Sequence, residues 1–454
     1  MFNYDPVLFS RILTGLTLFV HIIYATIGVG VPLIIALAEW IGIKRNDPHY
    51  LLMARRWARG FTVTVAVGVV TGTAIGLQLS LLWPNFMRVA GQAIALPLFM
   101  ETFAFFVEAI FLGIYLYTWD RFKNRMVHFL LLIPVAIGSS ASAFFITTVN
   151  AFMNAPRGFD MVEGQMTNIQ PLLAMFNPAM PTKVSHVLVT AYVTSAFLLA
   201  AIAAIAAIAM LRGRNHTYYK KALRLTMTSA LVFALASALI GDLSGKYLHE
   251  YQPEKLAAAE WHFETTDKAS LILGGILTEE NEVKFAIKIP FALSILAGST
   301  PDTVVKGLNE VPPDELPPLR PTHYFFDSMV FIGIYLTLVA LWYVIWQRRK
   351  RKTGKPISRM LLWAIVIGAP LAVMAIESGW MFAEIGRQPW ILWKVMTVAE
   401  GATTSNHVDT MLWLFALLYA VLTLTAIRVL IRMFKDNPAE EEIAALGIEG
   451  GTKI

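Results

Sequence analysis

Repeated runs of 18 or more apolar residues dominate this chain, each long enough to cross a hydrocarbon core about 30 Å thick. A backbone entering lipid must satisfy its polar groups internally, so such runs fold as helices. Composition agrees: 56% of the 454 residues are hydrophobic and 15% charged, with mean hydropathy +0.59, where a soluble chain carries roughly 25% charged residues. The fold class is an all-α integral membrane protein with about nine transmembrane helices.

Hydropathy places the spans at Val7–Trp40, Trp57–Trp83, Ile94–Trp119, Val127–Asn150, Val184–Leu211, Tyr219–Asp242, Tyr324–Gln347, Met360–Ala383 and Val408–Met433. The first apolar run, Val7 to Ile43, exceeds the roughly 7–15 residues of a signal-peptide core and lacks a basic stretch before it, so it reads as a retained helix.

Basic residues set the expected orientation. The first, third, fifth and seventh connections hold Lys44/Arg45/Arg55/Arg56, Arg121/Lys123/Arg125, Arg212/Arg214/Lys220/Lys221/Arg224 and Arg348/Arg349/Lys350/Arg351/Lys352/Lys355/Arg359. The short even-numbered connections hold only one or two apiece. Positive residues favour the inner face, which puts the N-terminus outside and the C-terminus inside the membrane. The same bias accounts for the net charge of +6, and the Arg348–Lys355 cluster reads as a juxtamembrane anchor rather than a nucleic-acid site.

One connection stands apart. Between the sixth and seventh spans lie about eighty residues, 243–323, far beyond the usual loop of up to roughly 12–15. A polar first half, an apolar stretch at Phe285–Leu296 and a proline-rich end at Pro312–Pro321 read as a folded cap outside the membrane. The expected division is then 1–242 (helices one to six), 243–323 (the cap), 324–436 (helices seven to nine) and 437–454, a short, acidic, mobile cytoplasmic tail.

The chain contains no cysteine, which excludes disulfides, thiolate-held iron–sulfur clusters, covalent c-type haem and a Cys-ligated copper. Any metal must be held by His, Met or carboxylates. Of nine histidines only His21 and His186 fall within spans; His49, His128 and His216 fall at inner ends or loops, and His249, His262, His323 and His407 on the outer side. Two intramembrane histidines on separate helices point toward haem, although a lone buried histidine is more often a hydrogen-bonded packing residue. His186 and Met329 sit near the outer ends of their helices, can lie at similar depth and are together the axial pair expected of a low-spin electron-transfer haem, although Met329 alone, one of 19 methionines, reads as core packing. Two intramembrane histidines are too few for a haem–copper oxidase site.

Glu101 and Glu108 are seven residues apart on the third span, so both face one side, separated by about 10 Å along the axis. Such a stack suits a proton relay or a cavity lining. Glu377, in AIESGW, could ligate a metal or join a proton path. Asp242 and Arg11 complete the set of intramembrane charges, and most of the set falls in the outer half of the bilayer, consistent with one shared site.

These residues stand in segments that resemble subunit I of the cytochrome bd-type quinol oxidases along nearly the whole chain. The matching runs are His21, FMETFAFFVEAIFLG around Glu101 and Glu108, Ser142–Gly158, His186, GDLSGKYLHEYQPEKLAAAE (Gly241–Glu260) and AIESGWMFAEIGRQPW (Ala375–Trp390). The last two are the most specific. The resemblance implies quinol oxidation at an outer-face loop and reduction of O2 to water without copper. It implies two haem b groups plus a haem d or a third haem b. His186 and Met329 would hold the low-spin haem b, and His21 and Glu377 would be axial ligands of the high-spin pair, their individual assignment left open. Lys255 and Glu260 would bind quinol, and Glu101 and Glu108 would carry protons from the cytoplasm or hold charge beside the high-spin haems. A second, similar membrane subunit is the expected partner, in some members joined by a small single-helix one; no nucleic acid is implied. Two departures are visible. The outer loop is of the shorter kind, and Asp327 stands where many members have an arginine two residues before the ligating methionine, so either another base serves a haem propionate or the ligand lies elsewhere.

Two other classes compete. A transporter could use Glu101, Glu108 and Glu377 as ion sites, but no inverted repeat is visible. A haem-bearing electron carrier would use His186 and Met329 but leave His21 and Glu377 without a role.

Overall fold

A computed structural model describes residues 4–210, 217–353 and 356–447. Leu211, Arg212, Arg214, His216, Lys355 and the tail beyond Gly447 lie outside the described residues. Among the described residues, nine helices are long and apolar enough to cross a membrane. They are α1 (Pro6–Arg45), α2 (Pro48–Leu82), α3 (Pro84–Tyr117), α4 (Leu132–Asn154), α5 (Met180–Met210), α6 (Thr217–Tyr251), α7 (Leu319–Thr353), α8 (Arg359–Ile385) and α9 (Val408–Asp436).

Several helices begin well before the expected spans. Helix α2 starts at Pro48 rather than near Trp57, and α3 at Pro84 rather than near Ile94. Hydropathy marks only the part that lies in hydrocarbon, whereas the hydrogen-bond ladder continues through polar residues until a cap or proline stops it. Asp5 and Asp47 cap α1 and α2 from their side chains, each followed by a proline at the first helical position. The fourth span is broken near its start, with a separate short helix at Arg125–Phe129 before α4.

Helix α5 is central, packing on α1, α4, α6 and α8, while α7 joins α6 and α8, α3 lies on α4, and α9 lies on α1 and α2. One hydrophobic core occupies the end where α1 and α3 finish, around Ile34, Tyr115, Phe197, Met227 and Leu362. A second, around Leu13, Phe86, Phe152 and Leu392, occupies the opposite end.

The α6–α7 connection is folded and shorter than expected, because α6 runs on to Tyr251 and α7 begins at Leu319. It holds a helix at Pro253–Ala259, strand pairs Leu271–Leu273 with Ile287–Ile289 and Ile276–Leu277 with Val283–Lys284, and a helix at Ala292–Gly298. The end of the bundle carrying this connection is called the loop end below.

The start of the tail departs from the expected mobility. Residues Ala439–Ala445 form a helix whose Glu442 accepts hydrogen bonds from Arg56 and Arg59 of α2, while Tyr219 donates to Glu440 at 3.1 Å. Its acidic residues meet the basic helix ends, and that pairing docks it.

Candidate functional site

The inferred ligands lie on four helices. His21 on α1 turns toward α2, its Nδ1 2.9 Å from the Thr71 hydroxyl. That hydroxyl donates to the carbonyls of Val67 and Gly68, so its lone pair accepts from Nδ1–H. Nε2 is then the basic nitrogen, the form a metal requires. Gly72 makes the room: a Cβ there would stand 3.1 Å from the His21 ring.

Glu377 on α8 is buried, and its Oε1 has no hydrogen-bond partner. It lines a small pocket with Ile23 and Thr26 of α1 and Thr194 of α5, close in sequence to His21. His186 on α5 likewise has a buried Nδ1 without a partner. Met329 on α7 sits against Gly379 of α8, where a Cβ would meet its sulfur at 3.0 Å. Native interiors leave few buried polar atoms unpaired, so orphans on a histidine and a glutamate mark places where another group belongs.

Glu101 and Glu108 both face α4, in line with their seven-residue spacing. Ser142 donates to Glu101 Oε1 at 2.9 Å, and Gly138 lets the α4 backbone approach Glu108, where a Cβ would stand 3.0 Å from its backbone nitrogen. Glu108 is buried and Glu101 half-buried.

Lys255 lies in the Pro253–Ala259 helix and Glu260 directly after it, and the two point to different neighbours. Lys255 is fully buried and donates to the Ala383 carbonyl at the end of α8 at 2.7 Å. Burial, with Lys183 and Arg387 nearby, holds its ammonium well below the usual lysine range. Glu260 accepts from Ile272 N–H at 2.9 Å while its Oε1 stays unpaired. Burial pushes its carboxyl up to about 8, against the pull of that Ile272 hydrogen bond, and the Asp327 carboxylate pushes the same way.

Around Lys255 the structure assembles a charged cluster that hydropathy did not single out. Lys183 donates to Asn150 Oδ1 and Asn150 to Glu384 Oε1, both at 2.7 Å, and Arg387 donates to Glu384 Oε2 at 2.5 Å. Three basic side chains thus gather around one carboxylate, which Arg387 bonds directly, and Arg387 Nε and Nη1 are buried without partners. Buried guanidinium nitrogens without partners are costly unless an acceptor completes them. The signal was present in sequence, since Glu384 and Arg387 stand in the run AIESGWMFAEIGRQPW, but their meeting with Lys183 and Lys255 is a product of folding.

Some expected members do not join. Asp242 is exposed and paired with Lys246 at 2.6 Å, and Arg11 is exposed. Asp327 turns to the α6–α7 connection, accepting from Gly274 N–H and lying 3.3 Å from His323 Nε2. His323 and His128, expected outside the spans, are both fully buried.

With this geometry in place, comparison with known proteins is decisive. The family model for cytochrome bd terminal oxidase subunit I matches residues 9–438. The chain belongs to that family. It is 42% identical, over 97% of its length and 99% of the relative's, to a Bacillus subtilis protein assigned as cytochrome bd menaquinol oxidase subunit I. Subunit 1 of the B. subtilis cytochrome bd ubiquinol oxidase is 30% identical over 94% of this chain and 93% of its own length. The bd oxidase structure from Geobacillus thermodenitrificans superposes with a TM-score of 0.91 at 66% identity, covering 96% of this chain and all of that one. The bd family implies haem, and the orphaned His186 and Glu377 atoms, the basic Nε2 of His21 and the glycine-made space beside Met329 fit such a group.

Proposed function

We propose that this chain is the haem-bearing subunit of a bd-type quinol:oxygen oxidoreductase, oxidising quinol on the outer face and reducing O2 to water with protons from the cytoplasm. The carrying observation is the set of buried, unpaired polar atoms at the loop end, on His186, Glu377, Glu260 and Arg387. The family match over residues 9–438 favours this reading over a transporter.

In this reading His186 and Met329 hold a low-spin haem b, and His21 and Glu377 hold the high-spin pair, one a haem b and the other a haem d or third haem b. Bound haem supplies one-electron transfer and oxygen binding. The residues do the rest. Arg387 and Lys183 offer charge to acidic haem substituents, taking the place of the cation absent at Asp327. Lys255 donates a hydrogen bond toward a quinol oxygen, and Glu260, once deprotonated, accepts the quinol proton. Glu101 and Glu108 pass protons along α3. In this reading the N-terminus and the α6–α7 connection lie outside the cell membrane and the C-terminus inside, as the basic residues between the spans favour. Partners are quinol, O2, a second membrane subunit and, as in some relatives, a small single-helix one; copper has no place in the scheme.

The test is a dithionite-reduced minus air-oxidised spectrum of the purified complex with pyridine haemochrome analysis. Two b-type haems with a far-red d-type band are expected. Haem b alone would retain the family and remove haem d. A colourless assembled protein would overturn the reading.

A further inference from the structure

The hairpin spanning residues 271–289 carries a run of exposed apolar side chains. Phe285 is 89% exposed and Ile287 65%, with Ile276 and Ile289 also exposed, followed by Phe291 and Ile295. Cross-strand pairing sets Leu271 opposite Ile289 and Leu273 opposite Ile287, so four apolar residues share one face. The tip is the opposite in character: Glu279, Glu280 and Glu282 are all exposed. A surface split this way fits a boundary between lipid and water better than either phase alone.

Hydrogen bonds to α7 give the depth. Arg320, in the first turn of α7, donates to the Leu277 carbonyl near the tip. Tyr324 donates to the Gly275 carbonyl, and Asp327 accepts from Gly274 N–H. The 274–277 segment therefore runs down beside α7 from Arg320 toward Asp327, seven residues or about 10 Å along that helix, with the tip toward the helix end and the base on the deeper side. On the other side, Gly245 of α6 packs against Leu296, two residues short of the end of the Ala292–Gly298 helix. Gly245 lies six residues before the end of α6, so this helix too sits below the helix end. Both tethers bring the apolar base to the level where α6 and α7 pass into the bilayer, flanked by Lys284 and Lys288 for anionic headgroups.

We infer that this hairpin is an interfacial membrane anchor: Phe285, Ile287 and Ile289 insert among the lipids of the leaflet where α6 ends and α7 begins, while the acidic tip stays in water. The same strand bonds Glu260 through Ile272 N–H. Lipid contact thus holds that carboxyl at the bilayer edge, where a lipid-soluble quinol would reach it; this consequence, unlike the lipid contact, rests on the quinol reading above.

This chain has no cysteine, so Phe285→Cys and Glu280→Cys each give a unique labelling position on it. The intact complex would carry an environment-sensitive fluorophore at either position, in vesicles of phosphatidylethanolamine and phosphatidylglycerol containing shallow nitroxide lipids, with iodide as the aqueous quencher. The label at 285 should be quenched severalfold more by nitroxide lipid than the label at 280, and severalfold less by iodide. Equal iodide quenching at both positions would overturn the anchor, and so would protection of position 285 from both quenchers, which would place a protein partner there. Separately, Phe285→Ser with Ile287→Ser should raise KM severalfold for a long-chain quinol, with kcat and the haem spectrum unchanged. An unchanged KM with lipid quenching intact would leave the anchor and remove its link to quinol.

Discussion

Two buried polar clusters sit at opposite ends of this bundle, and they solve the problem of burying charge in different ways. At the end away from the α6–α7 connection, Glu39, His128 and Tyr115 are all fully buried. Tyr115 donates to Glu39 Oε2 at 2.6 Å, His128 Nδ1 lies 3.1 Å from Glu39 Oε1, and His128 Nε2 lies 2.9 Å from the Tyr115 carbonyl. Each named polar atom has a partner within the protein, and the rings of Tyr115 and His128 stack at 4.5 Å. This cluster ties α1, α3 and the short helix before α4 together. The loop-end cluster is open by contrast. Lys183, Lys255 and Arg387 gather around Glu384, which only Arg387 of the three bonds directly, and atoms of Arg387, Gln252, Glu260, His186 and Glu377 lack partners. A closed network rigidifies a fold, whereas an open one at the same burial waits for something to complete it.

Substitutions should separate the two ends. The largest effect is expected from His186→Ala, which should remove one b-type haem from the pyridine haemochrome count and reduce quinol oxidation to background. Retention of the full haem count would break the assignment of the loop end as a ligand site. Next comes Glu39→Ala at the closed end. Leaving His128 and Tyr115 buried without their carboxylate should cost about 3 kcal/mol or more, read as a lower thermal midpoint, while haem content in the protein that still folds stays unchanged. A loss of haem before stability would erase the distinction between the clusters.

Glu260→Gln sharpens the contrast through pH. A carboxyl held up to about 8 keeps its proton at neutral pH, so it accepts a quinol proton only as pH rises. Quinol oxidation should climb through about pH 8 in the native protein, and the variant should lose that limb and fall roughly 100-fold at the plateau. Stability carries the opposite sign. Between the ordinary carboxylate value and about 8 the folded state holds a proton that the unfolded chain releases, so native stability declines across that window. The glutamine variant should show a flatter slope in a thermal-shift series. The smallest effect is expected for Thr71→Val, which removes the acceptor of the His21 Nδ1–H bond. That should cost about 1 kcal/mol and perturb the high-spin haem spectrum without removing haem.

Much of this architecture was legible from residue patterns. Nine spans were readable because lipid imposes helix length and apolarity directly, and the pairing of Glu101 with Glu108 followed from the helical repeat alone. Helix ends were less legible, since capping and polar turns outside hydrocarbon leave no hydropathy signal; α6 runs nine residues beyond its expected end at Asp242. The docked start of the tail, Ala439–Ala445, is hard to read for a related reason: an acidic segment looks solvated until its partners, Arg56 and Arg59, are known to face it. His128 and His323 read as loop histidines because sequence position shows proximity to a span, not burial under neighbouring helices.

The sequence by itself determined the membrane class, the number of spans, the charge bias between their connections and, through ordered motifs, the family. These depend on local composition, periodicity and identity, which survive without knowledge of packing. Tertiary structure alone decided which charges meet. Lys183, Lys255, Glu384 and Arg387 converge from two helices and the two loop segments beside them, and the 271–289 hairpin finds its depth through Arg320, Tyr324 and Asp327. Such meetings join residues tens to hundreds of positions apart, and only the packed bundle brings them within hydrogen-bonding distance.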